Sequence, residues 1–470
     1  MRKLDVSIEM EGRQREVGCI TGDTEFNAEF KYSEDYLDSP FARPISISLP
    51  LRAEAYNPEQ TRIFFEGLLP EGFLRRTVAE NNRTDQSDYL SLLEMLGAEC
   101  LGAIQIKGAD YELIEPEYRP LPPDLMFRLA SEGATTSADL VVESHLSLTG
   151  ASGKIGAYRD AEGSWYLPVG SAPSTYIIKQ SHIRYDHIVQ NEQLALQTAR
   201  IAGISVPKSS IIEADHSAMN TSAAPEGTDH QNQPADINAI ATENSSQTLR
   251  PVTVSYPGRS SRPISTEIVL FATERYDRTL EGSVRTLSGL PCPLRLHQED
   301  FGQALGIAPS NKYEKASDQH MKKMFDLLRR YSASPIEDQM KLWDMIVFHW
   351  LIGNTDGHIK NFSLIYDRHL SSVRLAPAYD IISTIVYDTH STDMAFSIGG
   401  EIDWRKVDRD SFVRAAEEIK LSRKIFMDRF DALAARFKPA LMQAAEEMKA
   451  AGFEEAGDLA SDILSRRQKR

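Results

Sequence analysis

The sequence predicts an α+β protein in three parts: a small mixed module, a strand-rich lobe and a helical lobe. Three observations carry this. Strand-like runs give way to helical periodicity over residues 1–110. From Ser147 the texture is one of short strands broken by Gly and Pro. Beyond Leu294 apolar residues recur at helical spacing nearly to the end. The chain has 470 residues, 41% hydrophobic and 26% charged, which is ordinary globular composition and excludes fibrous, collagen-like and wholly disordered classes.

The first part, residues 1–110, opens with LDVSIEM and FNAEFKY, two strand-like runs separated by Gly and Asp turn signals. An extended, Pro-punctuated SPFARPISISLPL follows. Helical periodicity begins near Thr61 and runs through FFEGLLPEGFLRRTVAENN. Ser87 and Asp88 cap a further helix, SDYLSLLEMLGAE, and LGAIQIKG reads as a small strand.

The second part spans residues 111–285. A Pro-rich connection and a helical stretch lead to the strands SLTGASGKIGAYRD, SWYLPVG and STYIIKQSH. A helix at about 187–202 places Ile188, Val189, Leu194, Leu196 and Ile201 at near-helical spacing. Residues 214–262 are rich in Ser, Thr, Asn, Gln, Ala and Pro, with almost no large apolar side chains. Such a segment cannot bury enough surface to offset its ordering entropy, so a disordered insertion is expected. It splits what is otherwise a hairpin of SSIIEA and STEIVLFATERYDR.

The third part, 286–470, reads as helical, with periodic segments at 318–332, 337–352, 410–437 and 439–449. The last two are expected to break at Lys438–Pro439, because proline removes a helical hydrogen bond.

The chain carries 52 basic against 68 acidic side chains, net −16. Duplex DNA repels so acidic a body, so any nucleic-acid contact needs a local basic patch or a basic partner. Cys19, Cys100 and Cys292, odd in number and far apart, make neither a disulfide framework nor a four-thiolate metal site. MRKLDVSIEMEG lacks the apolar core of a signal peptide, and WDMIVFHWLIG is too short and polar to span a bilayer. The expectation is a soluble protein of a reducing compartment, the cytoplasm, with no membrane partner.

The sharpest chemical signal is LIGNTDGHIKNFSLIYDRHLSSVRLAPAYDII. Asp356 and Asn361 have the Asp-x4-Asn spacing of a protein-kinase catalytic loop, where the Asp takes the hydroxyl proton and the Asn holds magnesium. A helix runs into this loop. Strand FSLIY, a polar turn and strand VRLAPAY then return Asp380 to the neighbourhood. Two carboxylates and an amide are hard oxygen donors suited to Mg²⁺ with nucleotide phosphates. The plainer alternative is a pair of turn or cap aspartates in an unrelated helix–hairpin unit.

Lys179 ends the apolar strand YIIK, from which an ammonium can reach α/β-phosphates, or simply snorkel from an edge. Glu192, on the following helix, is spaced to form the Lys–Glu pair of active kinases, or to lie on a solvated face. Gly150, Gly153 and Gly156 surround Lys154. Glycines let backbone approach phosphate, though the run is neither a Walker motif nor G-x-G-x-x-G, and a plain glycine turn is the alternative.

Taken together, FFEGLLPEG (64–72), SLTGASGK (147–154), TYIIK (175–179), TERYDR (273–278), RLHQEDFGQALGI (295–307), KYE (312–314), WLIGNTDGHIKNFS (350–363) and LAPAYDIIS (375–383) resemble the HipA family, serine/threonine kinase toxins of bacterial toxin–antitoxin modules. The resemblance implies a protein-kinase-like fold with a strand-rich N-lobe, a helical C-lobe and an N-terminal α+β subdomain. It implies ATP and Mg²⁺ as cofactors. Asp356 matches the catalytic base, and Asn361 and Asp380 the magnesium pair. Thr149, Gly150, Ala151, Ser152, Gly153 and Lys154 match the nucleotide loop. Lys179 matches the phosphate lysine, and Glu274, Arg275 and Tyr276 the adenine hinge. His358, Lys360 and Tyr379 fall in nucleotide-contacting positions. Ser147 matches the serine whose autophosphorylation ejects the loop and switches the kinase off. GASGK departs from better-known members, which carry an acidic and an amide residue before the Lys; this makes Ser152 a second candidate phosphoserine. The implied partners are a small helix-turn-helix antitoxin, operator DNA mainly through that antitoxin, and a protein substrate resembling an aminoacyl-tRNA synthetase. Two competing readings are a non-catalytic co-repressor and a small-molecule phosphotransferase.

Overall fold

The computed structural model describes residues 1–108, 114–132, 137, 140–141, 153–181, 185–214, 268–316 and 318–469. The expected insertion 214–262 lies, Ala214 apart, outside the described residues, as do Ser147, Thr149, Gly150, Ala151 and Ser152.

The N-terminal module is a four-stranded antiparallel sheet, in spatial order Glu29–Tyr32, Arg13–Gly22, Arg2–Met10, Ile104–Gly108. In Arg2–Met10 the buried Leu4, Val6 and Ile8 alternate with half-exposed Asp5 and Ser7, the two-residue period of a sheet with one covered face. Of the three short helices Pro58–Glu66, Gly72–Asn81 and Tyr89–Leu96, the first and last pack against it. Asn57 caps the first by accepting from the Gln60 backbone N–H, with Pro58 at its first position. The periodic stretch from Thr61 is thus two helices rather than one, broken at Gly67–Pro70, where proline cannot continue the ladder.

The N-lobe is a six-stranded sheet in the order Glu117–Pro120, Trp165–Val169, Lys154–Arg159, Tyr176–Gln180, Val269–Glu274, Ser209–Glu213. Tyr176–Gln180 is therefore an interior strand, with Lys179 opposite Lys154 on one side and Phe271 on the other. The hairpin expected around the insertion is present: Val269 pairs with Glu213, and the Ala214 N–H donates to the Ile268 carbonyl at 3.0 Å. Helix Ile188–Ile201 packs against this sheet and against the C-lobe.

The C-lobe is built on helices His320–Tyr331, Pro335–Ile352, Arg409–Glu418, Arg423–Ala450 and Glu455–Gln468. Trp343, fully buried, sits edge-on to Phe412 and Phe426 at 5.6 and 5.2 Å. The lobe is not purely helical. Gln298–Asp300, Ser363–Tyr366 and Val373–Leu375 form the three-stranded sheet that carries the loop chemistry. The expected break at Lys438–Pro439 is also displaced. Pro439 lies inside the continuous helix Arg423–Ala450, and the chain turns instead between Glu418 and Arg423. Phe430, Leu433, Phe437, Leu441 and Ala444, all buried along one face, bridge the proline, and their burial outweighs the roughly 3 kcal/mol a helical proline costs.

Candidate active site

Helix Pro335–Ile352 delivers the chain to the site and ends at Gly353, whose φ of 76° is the left-handed cap conformation natural to glycine. The turn that follows is pinned from below. A side chain at Gly357 would place its Cβ 2.4 Å from Nδ1 of His349, so glycine alone permits this close approach. His349 is buried, which pushes its pKa down to about 4 and keeps the ring neutral beside the Asn354 amide at 3.0 Å. Asn354 Oδ1 in turn accepts the Asp356 N–H at 3.0 Å. Asn361 donates from its side-chain nitrogen to the Asp356 carbonyl at 3.1 Å, which turns its amide oxygen away from that carbonyl. Asp356 and Asn361 are thus locked to one another.

Asp356 is partly buried, and burial pushes its carboxyl above the ordinary aspartate value, with the nearby charge of Asp380 adding to the effect. A phenol, Tyr313, donates to its Oδ1. Asp380 returns to the site after the hairpin and sits at φ 55°, a left-handed conformation uncommon outside glycine and tolerated best by Asp and Asn. Burial opposes its charge, but Lys179 and Lys154 outweigh burial and hold the carboxyl well below the usual range.

The Lys179 ammonium is 2.7 Å from Glu192 Oε1 and 2.6 Å from Asp380 Oδ1. Of the two readings the sequence leaves open for Glu192, the Lys–Glu pair is the one formed, and it joins the N-lobe sheet, its helix and the C-lobe loop at one atom. Lys154 lies opposite Lys179 in the sheet, and burial, with Lys179 beside it, lowers its pKa to about 8. Gly153 accepts the Gln180 N–H at 3.3 Å just before this strand.

The segment 274–276 leads out of the same sheet. The Glu274 and Arg275 backbone N–H groups are already committed to Lys208 and Thr175 carbonyls. The Arg275 side chain is engaged within the protein. It is buried in an ionic cluster in which Glu99, Asp277 and Glu9 face Arg275, Arg278 and Arg295. Tyr276 lies with its ring 5.8 Å from that of Tyr379, whose hydroxyl donates to the Lys360 carbonyl at 2.8 Å. Lys360 has a different task from the nucleotide contact expected of it. Its buried ammonium binds Asp300 at 2.8 Å and approaches Glu71 at 3.7 Å, tying the loop to the N-terminal module. His358 is buried and neutral, its pKa pushed down to about 3 by burial and by Lys312, and its Nδ1 is a buried polar atom with no partner among the described residues.

These residues fit magnesium and a nucleotide. A carboxylate and an amide, Asp380 and Asn361, provide the one or two hard donors that Mg²⁺ takes when phosphate oxygens and water complete its shell. Two buried lysines and the His358 Nδ1, unpartnered among the described residues, lie beside them. Among the described residues no cluster of three or more His, Cys, Asp and Glu side chains forms a self-sufficient metal cage. Sequence reasoning missed Tyr313 and the ionic cluster behind Arg275. The KYE segment holding Tyr313 was visible, but nothing in it signals a contact to a residue 43 positions on.

Residues 146–441 match the HipA-like C-terminal domain and residues 8–107 the HipA N-terminal domain. The chain is 32% identical over 411 residues to a Sinorhizobium fredii protein named "Putative kinase Y4mE", covering 86% of this chain and 83% of that one. It is 22% identical over 423 residues to the serine/threonine-protein kinase toxin HipA of Shewanella oneidensis, covering 88% and 83%. Among solved structures, the Shewanella oneidensis HipA, HipB and operator DNA complex matches with a TM-score of 0.71 at 19% identity, over 99% of this chain and 97% of that one. Among the described residues no helix is long and apolar enough to cross a membrane.

Proposed function

The chain belongs to the HipA family, and from that premise we propose that it is a Mg²⁺-ATP-dependent serine/threonine protein kinase, the toxin of a toxin–antitoxin pair. The observation that supports this best is the convergence of Lys179, Glu192 and Asp380 beside the locked Asp356–Asn361 loop. Asp356 receives the proton of the acceptor hydroxyl as its oxygen bonds to the γ-phosphorus and the bond to the β-phosphate oxygen breaks. Lys179, with Lys154 beside it, holds the phosphates, and Asp380 and Asn361 hold the metal. Magnesium bound there supplies charge neutralisation on the phosphates. Tyr276 and Tyr379 border the adenine. Ser147 is the self-phosphorylated residue: a phosphoserine next to a nucleotide pocket repels ATP phosphates and inactivates the enzyme, with Ser152 the second candidate.

The partner is a small helix-turn-helix antitoxin, in keeping with the HipA–HipB–operator arrangement that the structural relative adopts. With a net charge of −16 on this chain, the antitoxin supplies most phosphate contacts to operator DNA. The acceptor is a protein of the translation machinery, an aminoacyl-tRNA synthetase. Intact mass after incubation with Mg²⁺-ATP tests the reading, wild type beside Asp356→Asn. One added phosphate in wild type only, mapping to Ser147, supports it. No addition in either, with ATP binding retained and no phosphate already present, overturns it in favour of a non-catalytic co-repressor.

A further inference from the structure

Tyr313 is placed where an acceptor belongs. Its hydroxyl donates to Oδ1 of Asp356, the hydrogen bond that an incoming acceptor hydroxyl must make to transfer its proton. The backbone around it is pinned on both sides. Lys312 binds Glu71 of the N-terminal module at 2.7 Å. Glu314 accepts the N–H groups of His320 and Ser397, both at 2.6 Å, and its own N–H donates to the Ala395 carbonyl. The Tyr313 side chain, by contrast, is 46% exposed. Its ring touches His358 edge-on, with centroids 5.3 Å apart. The phenol can therefore leave Asp356 by side-chain rotation alone, with the loop in place.

Resting on the reading of Asp356 as the base, we propose that Tyr313 is a specificity-determining residue: a latch that denies Asp356 to water and yields it to the hydroxyl of a docked protein. Water is the acceptor a kinase must refuse, since it is always present and its attack wastes ATP. A lone water that displaces the phenol exchanges one hydrogen bond to the carboxylate for another and forfeits the ring contact with His358. A docked protein brings binding energy from contacts remote from the hydroxyl and spends it on turning the ring aside. Tyr313 is not catalytic in this scheme, because it leaves before the reaction.

The test uses the full chain with Mg²⁺-ATP and compares initial rates of phosphate release into solution with phosphate incorporation into the chain itself. Tyr313→Phe keeps the ring and deletes the hydrogen bond. It is expected to raise release over incorporation about tenfold, the effect of losing one hydrogen bond to a charged group. Tyr313→Leu, which also removes the ring, is expected to raise the ratio further. Misfolding cannot produce such a gain. Unchanged release, or release that rises only in step with incorporation, overturns the latch, and it does so against a standing kinase if Asp356→Asn silences both rates. If Asp356→Asn leaves both rates intact, the base assignment fails and takes the latch with it.

Discussion

The Lys179 ammonium lies 2.6 Å from Oδ1 of Asp380, a contact between residues 201 apart in the chain that ties the N-lobe sheet to the C-lobe loop. Glu192 shares the same ammonium, its side chain 8% exposed against 44% for Asp380. The pair facing the protein is thus the desolvated one, and the pair facing the cleft is the one a ligand can rearrange.

Lys179→Met is therefore expected to do two separable things. It leaves the buried Glu192 carboxylate without its ion-pair partner and costs about 3 kcal/mol of stability, the low end for a broken buried pair. It also abolishes phosphoryl transfer. Adding Glu192→Gln removes the stranded charge and recovers at least about 1 kcal/mol without restoring transfer. Urea unfolding of the single and double variants measures the first effect, and the intact-mass assay the second.

Asp356→Asn separates stability from chemistry in the opposite sense. The folded-state pKa of Asp356 is raised, chiefly by burial, so its ionised form is a burden on the fold that is absent at low pH and grows as pH rises through that pKa. The neutral amide lifts the burden. At pH 7 the variant should melt at the wild-type temperature or slightly above it, while losing transfer entirely. In wild type the rate should fall on acidification at a pH above the ordinary aspartate value, because only the carboxylate takes a proton.

Much of this site was legible because its parts are local or separated by one hairpin. The loop spacing gave Asp356 and Asn361, and two strands with a polar turn between them implied the return of Asp380. The apolar strand YIIK singled out Lys179, while the helix after it left Glu192 open between an ion pair and a solvated face. What escaped is non-local or locally atypical. Strand Arg13–Gly22 begins RQRE, with no apolar alternation before Val17, and is held by pairing to both its neighbours. Pro439 reads as a break because the tertiary burial that overrides it is invisible in the local sequence. The buried charges Glu9, Glu99, Arg275 and Arg295 meet across 176 residues or more, and no spacing rule connects them.

Glu299 offers a pH test of the contact between module and C-lobe. It is buried, accepts from Ser46 Oγ at 2.5 Å, from the Ile47 N–H at 3.1 Å and from the Tyr366 hydroxyl, and burial pushes its pKa up to about 7. With the folded pKa above the unfolded one, its contribution is fully present below about pH 4.5 and is lost as pH rises through 7. Glu299→Gln keeps an acceptor oxygen and cannot ionise. Thermal melts should show the variant more stable than wild type at pH 8, by roughly 2–3 kcal/mol, and level with it near pH 4. A wild-type advantage at pH 8 would reverse the argument.

The ionic cluster behind Arg275 has the opposite pH sign. Asp277 is buried, yet Arg275 and Arg278 hold its carboxyl well below the ordinary value, and Glu99 is likewise lowered against burial by Arg278, Arg295 and Arg275. Their contribution is present above about pH 4 and is lost as pH falls through the depressed values. Glu99→Gln leaves three buried guanidiniums facing two carboxylates and is expected to cost about 3–5 kcal/mol at pH 7. Because the cluster fastens the N-terminal module to the segment 277–279, hydrogen exchange should quicken in Ile104–Gly108 and Arg278–Thr279 together. Quickening in only one of them would show that the cluster does not couple the two.

Replacing residues 215–267 by a short Gly-containing turn tests whether the N-lobe sheet depends on the long connection. The two strands it joins already specify their own register. Glu213 faces Val269, Ile212 faces Leu270 and Ile211 faces Phe271, with Leu270 and Phe271 fully buried. The Ala214–Ile268 backbone hydrogen bond closes the ladder at the point where the turn would be spliced. Five consecutive residue pairs, from Val269–Glu213 to Thr273–Ser209, hold that register through the ladder itself rather than through the connection. Shortening the loop lowers its closure entropy by only about 1–2 kcal/mol, in the stabilising direction. The shortened chain should therefore melt no lower than wild type and bind ATP with unchanged affinity. A loss of stability, or a weakening of ATP binding with stability retained, would assign the connection a structural or nucleotide-binding part.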